Sequence, residues 1–140
     1  MRILGIDLGS RTVGMAVSDY LGIIANPIGT SRISENSLQE ALECVKIVVK
    51  EREVEKIVLG LPKNMDGSQG FQSQYCLEFK AMLEEELKLP VIMLDERLTT
   101  RMAHNTMIKA DMSRKKRKQN VDKIAATIIL QSYLDSLPKY

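Results

Sequence analysis

The chain has 140 residues, 44% of them apolar and 27% charged, with a net charge of +2. That balance excludes a disordered segment, and the length allows one domain that buries roughly 70% of the surface its unfolded form exposes. No stretch approaches the ~20 apolar residues of a membrane span, and Met1-Arg-Ile-Leu-Gly-Ile-Asp7 has no leader-peptide pattern, so a cytoplasmic protein is expected.

Residues 2–8 and 12–18 read as two strands. Gly9-Ser-Arg11 between them is short enough to require an antiparallel hairpin. Residues 22–32 predict a third strand, and Pro27 assigns it to a sheet edge. Ser37-x-x-Glu40 is a capping box. Leu38, Ala41, Leu42, Val45, Val48 and Val49 then recur at helical spacing, giving a helix to about Arg52. Lys56-Ile-Val-Leu-Gly-Leu61 is a short apolar strand of the buried, parallel kind. Turn material fills Pro62 to Gly70, and Phe71, Tyr75, Phe79, Met82 and Leu83 mark a second helix that ends before Pro90. Val91-Ile-Met-Leu94 is a fifth strand. Thr99 or Thr100 can cap a third helix to about Ala110, and Asn120 a fourth to about Leu137. The order β-β-β-α-β-α-β-α-α predicts one α/β domain with a mixed sheet, partly meander and partly crossover.

Cys44 and Cys76 lie far apart in helix-like apolar stretches and read as small core hydrophobes. His104 is the single histidine, which excludes sites built from several imidazoles, zinc clusters among them. If the chain does chemistry, carboxylates must carry most of it.

Charge is unevenly placed. Residues 101–123 hold eight Lys/Arg against Asp111 and Asp122, a segment of +6, and the rest of the chain carries −4. Five consecutive basics, Arg114, Lys115, Lys116, Arg117 and Lys118, read as a mobile loop suited to a polyanion. No aromatic interleaves with them, so contact with backbone phosphates fits better than base stacking.

Asp7 is the first anomaly. Ile3, Gly5 and Asp7 share one face of the first strand while Leu4, Ile6 and Leu8 share the other. A strand apolar on both sides, as a central strand is, ends in a carboxylate, and burying that charge is costly unless it is paired or bound to a cation. A turn-forming Asp before Gly9 is the plainer alternative. Asp95-Glu96-Arg97 repeats the pattern after the fifth strand, and side-chain alternation lets only one of Asp95 and Glu96 point to the side of Asp7. Asp122 opens the last helix, where it serves the macrodipole or a site equally well. From it Ala125, Ala126, Ile129 and Tyr133 continue a stripe that would face the sheet, the two alanines permitting close approach. Three carboxylates at two strand ends and one helix form a hard-oxygen set suited to Mg²⁺ or Mn²⁺, and beside a basic segment they favour a nuclease.

Taken together, Gly5-Ile-Asp-Leu-Gly9 with Gly14-Met-Ala-Val-Ser-Asp19, Gly60-Leu-Pro62 with Asp66-Gly67, Asp95-Glu-Arg-Leu-Thr-Thr100 and Val121-Asp-Lys-Ile-Ala-Ala126 resemble the YqgF (RuvX) family. The resemblance covers nearly all of the chain. It implies a single ribonuclease H-like domain over 1–140: a three-layer α/β fold with a mixed five-stranded sheet, three antiparallel then two parallel strands, flanked by helices. It also implies a nuclease that processes the 5′ end of pre-16S rRNA, or alternatively resolves Holliday junctions. The family's acidic positions match Asp7, Glu96 and Asp122, which resolves Asp95 against Glu96 and makes these three the catalytic and metal-holding set. The implied reaction hydrolyses a phosphodiester to a 5′-phosphate and a 3′-hydroxyl, with Arg114 to Lys118 holding the substrate backbone. Arg11 and Arg101 are weaker phosphate-contact candidates, for which a surface salt bridge is at least as good a reading. Junction cutting would call for a homodimer, and Phe71 or Tyr140 could serve in its interface.

Two other classes compete. Gly5-Ile-Asp-Leu-Gly-Ser10 also resembles the first phosphate loop of the actin, Hsp70 and sugar-kinase superfamily, but that cleft needs two such domains. A non-catalytic nucleic-acid-binding module would retain the acidic residues without turnover.

Overall fold

A computed structural model describes residues 1–61, 71–95 and 114–137. Five strands, β1 (Arg2–Leu8), β2 (Thr12–Ser18), β3 (Ala25–Arg32), β4 (Val54–Leu61) and β5 (Val91–Asp95), form one sheet in the order β3-β2-β1-β4-β5. The first three are antiparallel neighbours, and β4 and β5 join parallel to β1. The helices are α1 (Leu38–Arg52), α2 (Phe71–Leu87) and α3 (Arg114–Ser136). The expected third helix, over 99–110, lies outside the described residues, as do Pro62 to Gly70, Arg101 and Tyr140.

The two faces of β1 organise the core. Leu4, Ile6 and Leu8 join Val13, Met15, Ile57 and Leu59 under Ala41, Leu42 and Val45 of α1 and Tyr75, Cys76, Phe79 and Leu83 of α2. Ile3 on the opposite face joins Ala16, Ala25 and Val58 under Ala126, Ile129, Leu130 and Leu134 of α3. The molecule is therefore three layers, with α1 and α2 on one side of the sheet and α3 on the other. Cys76 is fully buried and Cys44 half-buried against the first cluster, as small hydrophobes are. Among the described residues no helix is long and apolar enough to cross a membrane.

Pro27 sits on β3, an edge strand, where its missing N–H costs no ladder bond on the outer side. That strand begins at Ala25 and not at residue 22. Gly22 takes φ 72° and the Asp19 carboxylate accepts the N–H groups of Ile23 (2.8 Å) and Ile24 (3.3 Å), so the chain is still turning there. These bonds, that from Ile23 first, hold the Asp19 pKa below its ordinary value.

The Ser37 hydroxyl accepts the Glu40 N–H at 3.3 Å, as the capping box predicts for α1. The Glu40 carboxylate reaches back to Ser34 as well as Ser37, which lowers its pKa. Glu53 ends the helix in the left-handed region at φ 54°, its N–H returning to the Val49 carbonyl. Ser37→Ala is expected to cost about 1 kcal/mol, measured as a lower urea midpoint with unchanged slope.

The largest departure concerns α3. Arg114 to Lys118 are helical from the start and form no loop, and the helix runs through Asn120 without a cap there. Lysine and arginine are good helix formers, so a run of them is compatible with either state. Asp122 accordingly lies two turns into α3 and not in its first turn, which removes the macrodipole explanation for it.

Candidate active site

Asp7 stands near the carboxyl end of the central strand, opposite Gly14 of β2, and is only 7% exposed. It belongs to the row of Ile3 and Gly5, on the side of the sheet that α3 covers. How α3 is seated there is fixed by Gly5. A Cβ built at that position would lie 2.7 Å from the Leu130 Cβ and 2.9 Å from the Ala126 carbonyl oxygen, so the helix rests directly on the β1 backbone.

Polar contacts fix the direction of the helix. Lys56, near the start of β4, donates to the Tyr133 hydroxyl at 3.1 Å. The Gln131 side chain accepts the Ala25 N–H and donates to the Ile23 carbonyl, both at 2.9 Å. The carboxyl end of α3 is thus held at the amino end of β1, and earlier residues of the helix lie progressively nearer Asp7. Position 122 is one turn, about 6 Å, before Ala126, and Asp7 is about 7 Å beyond Gly5 along the strand. The two backbone positions therefore approach the same end of the same face. Ala125, Ala126 and Ile129 are fully buried, as the stripe predicted, and Tyr133 is half-buried over Lys56.

Among the described residues no three His, Cys, Asp or Glu side chains gather as a metal-holding group. Of the predicted set, Glu96 lies outside the described residues, and Asp122 is described in its backbone only. The side chains of Arg114 to Lys118, Asp95 and Phe71 are likewise not described. Leu94, the residue before Asp95, packs on the α3 side with Val58, whereas Met93 packs on the other. Arg11 forms a surface ion pair with Glu35 at 3.3 Å, the plainer of its two readings. Asp19, the acid of the Gly14–Asp19 motif, caps the β2–β3 turn at the opposite end of the sheet from Asp7. Sequence reasoning overlooked Gly5 as the seat of α3, though a glycine opposite a small-residue helix stripe was the available signal. On the edge strand beside the hairpin, Arg32 pairs with Thr12.

The family described as "RuvX: Holliday junction resolvase" matches residues 1–136. The chain belongs to this family. A Clostridium novyi (strain NT) protein named "Putative pre-16S rRNA nuclease" is 52% identical over 137 residues, covering 98% of this chain and all of the relative. A protein of the same name from Listeria monocytogenes serotype 4b (strain CLIP80459) is 52% identical over 136 residues, covering 97% of this chain and 99% of its own. Among solved structures, Thermus thermophilus RuvC in complex with a Holliday junction superposes with a TM-score of 0.60 at 13% identity, covering 97% of each chain. The Fowlpox virus resolvase with junction DNA gives 0.59 at 18% identity, covering 99% of this chain and 100% of the other. The fold of this RuvX-family chain is the ribonuclease H-like three-layer arrangement.

Proposed function

We propose that this protein is a metal-dependent endonuclease whose principal substrate is the 5′ end of pre-16S rRNA. The carrying observation is Asp7, a carboxylate buried at the end of the central strand on the face that α3 approaches with position 122. Full-length relatives that bear the rRNA nuclease name support the substrate. Membership of a family described as a Holliday junction resolvase supports a four-way DNA junction as the second substrate to test.

Asp7, Glu96 and Asp122 are the proposed catalytic and metal-holding set. The choice of Glu96 over Asp95 rests on the match of position 96 to the family's acidic positions, and Leu94 just before them faces α3. A donor set of carboxylates with no imidazole fits hard cations, Mg²⁺ or Mn²⁺. Such a cation, when bound, supplies activation of water and neutralisation of charge on the phosphate. The chain's own contribution is to fix the carboxylates on a rigid strand and a closely seated helix, and to hold the substrate backbone. Products are a 5′-phosphate and a 3′-hydroxyl.

Arg114, Lys115, Lys116, Arg117 and Lys118 are the proposed phosphate-binding group. Successive helical positions step about 100° around the axis, so a polyanion against one side meets two or three of the five. Cations in the amino-terminal turns also oppose the helix macrodipole, and a bound polyanion offsets that.

The test is cleavage of a labelled pre-16S rRNA 5′-leader fragment and of a four-way DNA junction, each with Mg²⁺, Mn²⁺ or EDTA. Cleavage of the RNA that EDTA abolishes is the expected result. Cleavage of the junction alone would move the assignment to a resolvase acting as a homodimer. Binding without cleavage of either would establish the non-catalytic module.

A further inference from the structure

An open cleft of about 640 Å³ lies at the Asp7 end of the sheet, lined by Arg11, Thr12, Arg32, Ile33, Ser34 and Glu35. Its walls are the β1–β2 turn and the segment that leaves β3. Two backbone hydrogen bonds tie them together: the Ile33 N–H donates to the Arg11 carbonyl at 2.9 Å, and the Asn36 N–H to the Ser10 carbonyl at 2.7 Å. The cleft is therefore preformed. It carries two guanidinium groups against one carboxylate, with no aromatic side chain in its lining. Glu35 accepts from Arg11 at 3.3 Å, but these side chains are 71% (Arg11) and 61% (Glu35) exposed, so water screens the pair and an incoming anion displaces it readily.

Strand register connects this cleft to the proposed site. Asp7 pairs with Gly14, Gly14 with Thr30, and the next pair on that side of the sheet is Thr12 with Arg32. Arg32 thus shares the face of Asp7, two strands across and one pleat further along, a backbone separation of about 12 Å. A nucleic-acid strand lying with its reacting phosphate at Asp7 passes a neighbouring phosphate within the reach of an arginine side chain there. The guanidinium fork matches phosphate oxygens in pairs, and the absence of aromatics argues against base stacking.

We propose that Arg32, assisted by Arg11, binds a backbone phosphate of the nucleic-acid substrate next to the bond that is cleaved, Glu35 holding Arg11 until the phosphate displaces it. This rests on the nuclease reading above. Arg32 is a substrate-binding residue, distinct from the carboxylates and from the α3 basic run.

The experiment is a fluorescence-anisotropy titration of a labelled single-stranded pre-16S rRNA leader fragment over a salt series. Wild type, Arg32→Gln, Arg32→Lys, Arg11→Gln and Glu35→Gln are compared, with melting temperatures recorded alongside. Arg32→Gln is expected to weaken binding about tenfold at low salt and to reduce the slope of log K against log salt by about 0.7, one phosphate contact fewer. Arg32→Lys keeps the slope, Arg11→Gln weakens binding less, and Glu35→Gln tightens it several-fold. In turnover the loss falls on KM and not on kcat. Unchanged affinity and slope in a folded Arg32→Gln protein would overturn the inference and leave the nuclease reading intact. Failure of the wild type to bind any nucleic acid would overturn both.

Discussion

Replacing Asp7 with asparagine is expected to abolish metal-dependent cleavage, lowering turnover at least a thousandfold, about 4 kcal/mol in the barrier, while the protein remains folded. The exchange preserves shape and removes one negative charge at a position only 7% exposed. An ionised carboxylate so far from water carries a desolvation cost that a hard cation and its neighbours must offset. In EDTA the variant should stay folded, since the exchange keeps the shape of the side chain and its capacity to accept hydrogen bonds. Added Mg²⁺ should raise the melting temperature of wild type and not that of the variant, because a ligand that binds only the native state stabilises it by mass action. Calorimetry with and without the ion, beside cleavage of the RNA leader and the DNA junction, reads both effects. Full metal-dependent cleavage by a clean Asp7→Asn preparation would remove Asp7 from the site.

Where hydrophobic period and punctuation agree, the elements are legible from residues alone. β1 and β2 match residue for residue, because alternation on both sides of a three-residue connector permits one hairpin register. α1 begins where Ser37 and Glu40 place it. The amino end of β3 is less legible because apolar residues do not always point inward: Tyr20, Leu21, Ile23 and Ile24 are all more than half exposed in the turn that Asp19 closes. The start of α3 is not legible from charge alone, because the helix propensity of lysine and arginine opposes the repulsion among them. Within the site, the burial of Asp7 followed from a strand apolar on both faces, and the approach of α3 from its alanine stripe. Whether 95 or 96 belongs to the site is not legible from alternation, which gives a period but not its phase, and only the family resemblance separates them.

The second large effect is expected at Gly5, and it tests whether the seat of α3 matters to chemistry as well as to folding. Even alanine there would bring its Cβ within 2.7 Å of the Leu130 Cβ and 2.9 Å of the Ala126 carbonyl oxygen. Neither atom is the end of a flexible side chain, so the helix as a whole must lift from the strand. Gly5→Ala should cost about 3 kcal/mol, and the melting temperature should fall by roughly 10 °C. Well below that temperature the protein is folded, yet position 122 has moved relative to Asp7. A displacement of about 1 Å can cost roughly a hundredfold in rate, so cleavage should fall by that order while RNA binding persists. Gly22→Ala separates the two effects. Gly22 adopts φ 72° in the β2–β3 turn, at the far end of the sheet, with open space around its missing Cβ. Alanine there strains the backbone by about 1 kcal/mol and should lower stability without touching cleavage below the melting temperature. If Gly5→Ala lost activity only in proportion to its unfolded fraction, as Gly22→Ala should, the spacing between β1 and α3 would be a matter of stability alone and the proposal that Asp122 acts with Asp7 would fall.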